Sequence, residues 1–302
     1  MNWLLITISS YLILAIVSLV DKYLLTSSIP NPKVYTFYVG TLGILVLLIA
    51  PFIGFYIPEI SQIILSLLTG AIYIYALFWF FKSLRLFETS RVVPAIGGMT
   101  PLFSFGLIYI LSSGKEILSF PEIIAFILLI FGSILITLER KKLITFKSLR
   151  FSVLTAFLFS LGLVLVKYVY LAQPFWNAFI WMRIGGFLLA LGFFIFAPEI
   201  KKEIFQKREY SPKKTTVIFL SNQAAGAGAN ILQNWAIFLA PLIYVPIINA
   251  LAGTQYLFLF IFAIFLSLKF PKIIKEEVSK AIILQKIIAI LLIGAGLVLL
   301  VL

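Results

Sequence analysis

The chain predicts an all-α polytopic membrane protein of ten transmembrane helices arranged as two inverted five-helix repeats, and three observations carry that expectation. Of its 302 residues 62% are hydrophobic and 12% charged, with a mean hydropathy of +1.14, far more apolar than a soluble domain. Apolar stretches of about 20 residues, long enough to cross a hydrocarbon core of roughly 30 Å, recur from end to end and leave no room for a soluble domain. An apolar run broken by proline and glycine in the first half also has an echo in the second.

Taken in order, the expected spans are 4–25, 34–57, 62–81, 92–111, 123–138, 151–171, 175–196, 216–239, 242–268 and 281–302. The first follows Met1-Asn2-Trp3, which carries no basic residue. It is longer than a signal-peptide core and reads as a retained helix. Short breakers separate the spans: Pro30-Asn31-Pro32, Pro58-Glu59, Ser112-Ser113-Gly114, Gln173-Pro174 and Ala240-Pro241. The longest link, 198–215, reads as a charged tether.

The fourth span lies in the run 88–105, ETSRVVPAIGGMTPLFSF, where Pro94, Gly97, Gly98 and Pro101 interrupt an otherwise apolar helix. Proline removes a helical hydrogen bond, and a bilayer tolerates this only where protein or a wet cavity satisfies the freed carbonyl. Half a chain later, 241–258 reads PLIYVPIINALAGTQYLF, and Val245-Pro246-Ile247-Ile248 aligns with Val93-Pro94-Ala95-Ile96. Paired interrupted helices in two halves point to a transporter's binding site, so these residues, Pro246 included, are the expected hinges.

Further pairs follow in the same order. Lys22-Tyr23 answers Lys167-Tyr168, Tyr38-Val39-Gly40 answers Arg183-Ile184-Gly185, and Ala50-Pro51 answers Ala197-Pro198. A repeat with an odd number of spans makes its second copy enter the membrane from the opposite side. The repeats are expected at 1–150 and 151–302.

A net charge of +13 suggests nucleic acid in a soluble protein, but here it decorates short connections. Of the 24 Lys and Arg residues, all but Lys115, Lys167 and Arg183 fall in alternate loops. The positive-inside rule then places loops 139–150 and 198–215 in the cytoplasm of a plasma-membrane protein and both termini outside. No stacking groove for nucleic acid is present. The expected partners are the lipid bilayer and a small-molecule substrate.

The ordered repeats, the lysines Lys22 and Lys167, Arg183 early in the seventh span and Thr100-Pro101-Leu102-Phe103 in the fourth resemble the drug/metabolite transporter superfamily, specifically its ten-span EamA-type members. Gly114-Lys115-Glu116 fits the family pattern, while Lys269-Phe270-Pro271 and Tyr38, which stands where the other unit has arginine, depart from it. The resemblance covers essentially the whole chain. It implies an exporter of small polar organic metabolites such as amino acids, working by alternating access through a cavity built mainly from spans one, three, four, six, eight and nine. Relatives usually keep both termini in the cytoplasm; the loop charges here argue the reverse.

Candidate substrate-binding residues are Arg183, Tyr75, Trp79, Gln223, Asn230, Asn234 and Gln255. Arg183 lies about 12 Å along its helix from Phe175, deep enough to need a partner or water. It reads either as a clamp for a carboxylate or phosphate or as a structural bond between helices. Gln223, Ala227, Asn230 and Asn234 share one helical face, suited to polar ligand groups or to helix pairing. Tyr75 and Trp79 form an aromatic wall or a lipid-facing pair. Lys22 and Lys167 read first as anchors reaching toward the interface, with Asp21 neutralising one of them.

No histidine or cysteine is present, which removes disulfides, thiolate metal sites and the usual general base. Neither a cofactor nor a metal is expected. No carboxylate lies in the middle third of any span, so proton-coupled efflux of cationic drugs is disfavoured. The rivals to a carrier are a lipid-handling or scaffold membrane protein and, furthest away, an intramembrane enzyme.

Overall fold

A computed structural model describes residues 2–27, 31–87, 89–137, 146–205, 213–269 and 280–301, and all its regular structure is helical. The helices are α1 (Asn2–Ser27), α2 (Pro32–Leu42), α3 (Ile60–Leu86), α4 (Thr89–Leu111), α5 (Phe120–Thr137), α6 (Phe146–Ala172) and α7 (Phe175–Phe196). They continue as α8 (Pro198–Phe205), α9 (Lys213–Leu239), α10 (Val245–Ala250), α11 (Ala252–Lys269) and α12 (Lys280–Val301).

Among the described residues, six stretches are long and apolar enough to cross a membrane: Asn2–Leu25, Pro32–Phe52, Ile60–Leu86, Phe146–Ala172, Phe175–Phe196 and Leu242–Leu259. Three shorter apolar stretches, Ala95–Leu111, Phe120–Leu135 and Leu284–Leu300, accompany them. Helix α9 is in neither group despite its length, because Asn222, Gln223, Asn230, Gln233 and Asn234 lower its apolarity. Large apolar side chains such as Leu5, Leu48, Ile64, Phe131, Leu188 and Leu291 are exposed, as expected where the surrounding solvent is lipid.

Local chemistry sets the helix ends. Asn31 caps α2 by accepting from the Lys33 N–H at 3.0 Å, with Pro32 in the first turn, a position where proline's missing donor costs nothing. Helix α4 stops in a Schellman turn: Gly114 N–H donates to Tyr109 O at 2.8 Å and Ser113 N–H to Ile110 O at 3.1 Å. Ser113 sits there at φ 55° and Gly114 at φ 75°. Beyond the apolar helices, Lys33 pairs with Glu199 of α8 at 3.0 Å, and this hydrogen bond holds the Glu199 carboxyl below its ordinary range.

Packing uses small residues where helices meet. Helix α1 packs along α9, α3 along both α6 and α7, α4 along α6, and α5 along α12. In the α5–α12 seam, Gly132 lies against Ala289 and Ile293, and Gly296 lies against Ala125 and Leu129. Bilayer helices gain little hydrophobic drive from touching one another, so close backbone approach of this kind supplies the attraction.

The interruptions differ between the two halves. Helix α4 is helical without a break from Thr89 to Leu111, through the expected hinge positions Gly97, Gly98 and Pro101; the side chain of Pro94 lies outside the described residues. The ninth span is discontinuous, but the break is at Leu251, between α10 and α11. Pro246 is in the first turn of α10, where it starts a helix rather than bending one. The second span, expected to be regular, changes at Gly43 from α2 into a 3-10 helix, Gly43–Phe52, none of whose residues is fully buried.

Carbonyls around the Leu251 break are satisfied by neighbours. Tyr11 O–H of α1 donates to Ile248 O at 2.9 Å, Ser133 Oγ of α5 to Ala250 O at 3.3 Å, and Thr254 Oγ1 to Leu251 O at 2.7 Å. All of α10 is buried. A broken helix persists in a bilayer only with such partners.

Candidate functional site around Arg183

Residues of α2, α3, α6, α7 and α9, with Gly43 beyond the end of α2, line a partly open pocket. Gly70, Ile74, Met182 and Gly186 of the seam between α3 and α7 belong to its lining. At Gly70 of α3 a Cβ would overlap the Met182 carbonyl, and at Gly185 of α7 one would overlap Leu67. Gly40 of α2 also lies close to α7, where a Cβ would lie 2.7 Å from that of Ala190. These contacts press three backbones together and leave the larger side chains at the rim to define the space.

Arg183 enters from α7. Its stem passes Gly43, where a Cβ would lie 3.6 Å from Arg183 Cδ, at the point where α2 becomes a 3-10 helix. Its guanidinium stacks on Phe179, one turn earlier in α7, with Cζ 4.5 Å from the ring centre, and has Tyr73 of α3 at 5.8 Å. Arg183 Nη2 donates to Asn230 Oδ1 of α9. A guanidinium only donates, so that oxygen must face it. Among the described residues no carboxylate makes an ion pair with Arg183; the one such pair is Lys33 with Glu199. The charge therefore stands on neutral partners, two rings and an amide, which is costly in a membrane interior.

The polar network extends from there. Asn230 Nδ2 donates to the Tyr73 hydroxyl oxygen at 3.1 Å; Asn234 Nδ2 donates to Asn230 Oδ1 and to Asn230 O, each at 2.9 Å; Tyr170 O–H of α6 donates to Asn234 Oδ1 at 2.9 Å. Val39, Ile74, Leu163 and Val166 supply apolar walls.

Three of the residues singled out in the sequence, Arg183, Asn230 and Asn234, thus meet in one place. The others do not line this cavity. Gln223 lies two turns away and donates to the Tyr35 hydroxyl oxygen at 3.4 Å, beside Asp21, which accepts from Tyr35 O–H and, at 2.7 Å, from Asn222 Nδ2. Tyr75 is 38% exposed. Trp79 packs on Phe151 and has the Lys82 ammonium 4.5 Å over its ring. Gln255 joins α11 to α1 through Ser18 Oγ at 2.8 Å. Gly97 lies against Tyr256 and Gly98 against Ile134, in helix packing.

One sequence expectation is corrected. Lys167 is 5% exposed and donates to Phe238 O near the C-terminal end of α9 at 3.0 Å, so it holds a helix end rather than reaching the interface. Asp21 bonds Tyr35 and Asn222 rather than Lys167; the side chain of Lys22 lies outside the described residues. The pocket at Arg183 is lined from the second, third, sixth, seventh and eighth spans, sharing the third, sixth and eighth with the expected central cavity.

Sequence reasoning passed over Tyr73, Gly70 and Thr69 of α3, Gly40 of α2, Gly43 at the start of the 3-10 helix, and Gln233 of α9, all of which line the cavity. A signal for the first group was present: Ser66, Thr69, Gly70 and Tyr73 are small or polar at helical spacing in an otherwise apolar span.

No protein-family model and no curated protein matches the chain. A crystal structure described only as that of a protein is similar over 99% of this chain and 96% of its own, with a TM-score of 0.65 at 15% identity. That likeness concerns the fold alone.

Proposed function

We propose that this protein is a membrane carrier that exports small polar organic metabolites bearing an anionic group, amino acids being one such class, by alternating access. In this reading ten spans form two inverted five-helix units, 1–150 and 151–302, of the EamA type. The packing pattern supports the repeat: α1 lies on α9, and α6, which would be the counterpart of α1, lies on α3. The pairs α2 with α7 and α5 with α12 face each other across the same relation.

The observation that carries the functional reading is Arg183, a half-buried cation without a carboxylate partner at the wall of an intramembrane cavity. An arginine that merely joined helices would be expected to face a carboxylate or a row of carbonyls; here its partners are one amide oxygen and two rings. The broken ninth span and the 3-10 half of the second supply elements able to move.

The test is counterflow of radiolabelled metabolites in proteoliposomes, with wild type, Arg183→Lys and Arg183→Gln compared at equal folded protein. Saturable exchange that weakens in Arg183→Lys and fails in Arg183→Gln is expected, because lysine keeps the charge and loses the two-pronged geometry. Absence of exchange together with movement of fluorescent phospholipid between leaflets would replace the carrier by a lipid-handling protein.

A further inference from the structure

The cavity's hydrogen-bonding capacity is unbalanced in one direction. Its oxygen acceptors are largely engaged: Asn230 Oδ1 accepts from Arg183 and Asn234, Asn234 Oδ1 from Tyr170, and the Tyr73 oxygen from Asn230. Thr69 Oγ1 gives its proton to Leu65 O at 2.7 Å and Gln233 Nε2 donates to the Tyr11 hydroxyl oxygen at 3.3 Å, which leaves a Thr69 lone pair and Gln233 Oε1 as the uncommitted neutral acceptors. The donors remain. Arg183 uses Nη2 on Asn230 and retains its other N–H groups, and the Tyr73 hydroxyl accepts one bond while its own O–H proton is not committed.

A ligand that completes this site brings acceptors and negative charge. An ammonium has no acceptor group comparable to what it leaves in water: the lining holds no carboxylate, and two neutral oxygens, Gln233 Oε1 and Thr69 Oγ1, do not replace its hydration. The remaining wall of Val39, Ile74, Leu163 and Val166 is aliphatic.

From this we infer that the Arg183 cavity selects a small organic monoanion, a carboxylate with an apolar body and no ammonium group, over the zwitterionic amino acid of similar skeleton. The inference rests on the carrier reading only in taking the cavity for a ligand site. The carboxylate sits on the Arg183 guanidinium with the Tyr73 hydroxyl beside it, and the apolar body lies toward Ile74 and Val166.

Four probes of one branched skeleton separate the charge states: 3-methylbutanoate, valine, 3-methylbutylamine and 3-methylbutanol. Each is titrated calorimetrically into the full chain in nanodiscs of phosphatidylcholine. The carboxylate is expected to bind at least about tenfold tighter than valine, which corresponds to ~1.4 kcal/mol, with no binding of the amine or alcohol. Tyr73→Phe is expected to weaken the carboxylate by roughly threefold to tenfold, and Arg183→Gln to abolish its binding. If Arg183→Gln does not fold, Tyr73→Phe and Arg183→Lys carry the test, since both keep the volume of the site close to that of wild type.

Valine binding as tightly as the carboxylate overturns the inference. So does a carboxylate affinity unchanged in the variants, or absence of binding up to about 10 mM for straight and branched carboxylates alike. A large loss of carboxylate affinity on adding anionic phosphatidylglycerol to the disc makes a lipid headgroup the occupant and also overturns it. Transport separates the two readings. Arg183-dependent movement of valine but not of the carboxylate leaves the carrier and removes this ligand class; binding of the carboxylate without movement does the reverse.

Discussion

Replacing Gly70 by alanine tests whether the α3–α7 seam sets the geometry of the Arg183 cavity. A Cβ there would lie 2.7 Å from the Met182 carbonyl carbon and 2.9 Å from the Gly186 nitrogen, and would overlap the Met182 oxygen. These are backbone atoms, so no rotamer change relieves the clash. Restoring ordinary contact of about 3.4 Å at the carbon alone requires the helices to part by ~0.7 Å, and the oxygen demands more. A gap of that size forfeits about a quarter to a half of each dispersion contact along the seam. Gly70→Ala should therefore cost about 1–3 kcal/mol, the usual range for overpacking.

Gly228→Ala in α9 is the matched control, because nothing lies within 4 Å of a Cβ there. Removing glycine's helix penalty should leave that variant as stable as wild type or more so, by up to ~1 kcal/mol. The assay is thermal unfolding of the two purified variants in one detergent, followed by ligand titration of the folded fraction. Gly70→Ala should melt several degrees below wild type and bind ligand more weakly, because Met182 immediately precedes Arg183. A Gly70→Ala protein that melts and binds like wild type would refute the reasoning, since the seam would then have room that the backbone contacts deny.

Two other expectations are open to direct measurement. Loops 139–150 and 198–215 carry the basic residues that the positive-inside rule assigns to the cytoplasm, and the chain has no native cysteine, so single cysteines there should resist membrane-impermeant thiol reagents in intact cells; labelling would reverse the orientation. At the ninth span, Pro246→Ala should change transport little, because Pro246 opens α10, whereas Gly253→Ala should slow it, because a Cβ would meet Ser133 and disturb its bond to Ala250 O beside the break; Ser133→Gly should restore the Gly253→Ala protein, and the opposite ranking would return the hinge to the proline.

Composition alone determined that the chain is a helical membrane protein, because burying or lipid-facing apolar surface over stretches of this length leaves few other solutions. Arg183 was legible for the same reason: a cation deep in an apolar span is expensive and draws notice without any tertiary information. The spacing of Asn230 and Asn234 placed both on one face of α9 before any neighbour was known, since the helical period is a local property. The sequence did not say what that face meets. Only the tertiary structure brought Asn230 to Arg183 and to Tyr73, from helices far apart in the chain, and sent Gln223 on the same face to Tyr35 instead.

A proline's position in the sequence does not say whether it bends a helix, because its effect depends on where the helix begins. Inside a helix it breaks a hydrogen bond, but in the first turn of α10 it removes none. The break at Leu251 is held by Tyr11, Ser133 and Thr254, two of them from other helices, and no local pattern announces such partners. The glycine seam was equally silent, since a helical glycine reads the same whether it faces open space, as at Gly228, or a carbonyl, as at Gly70. Which it faces is decided by the packing of whole helices, a choice in which each residue's own propensity has little say.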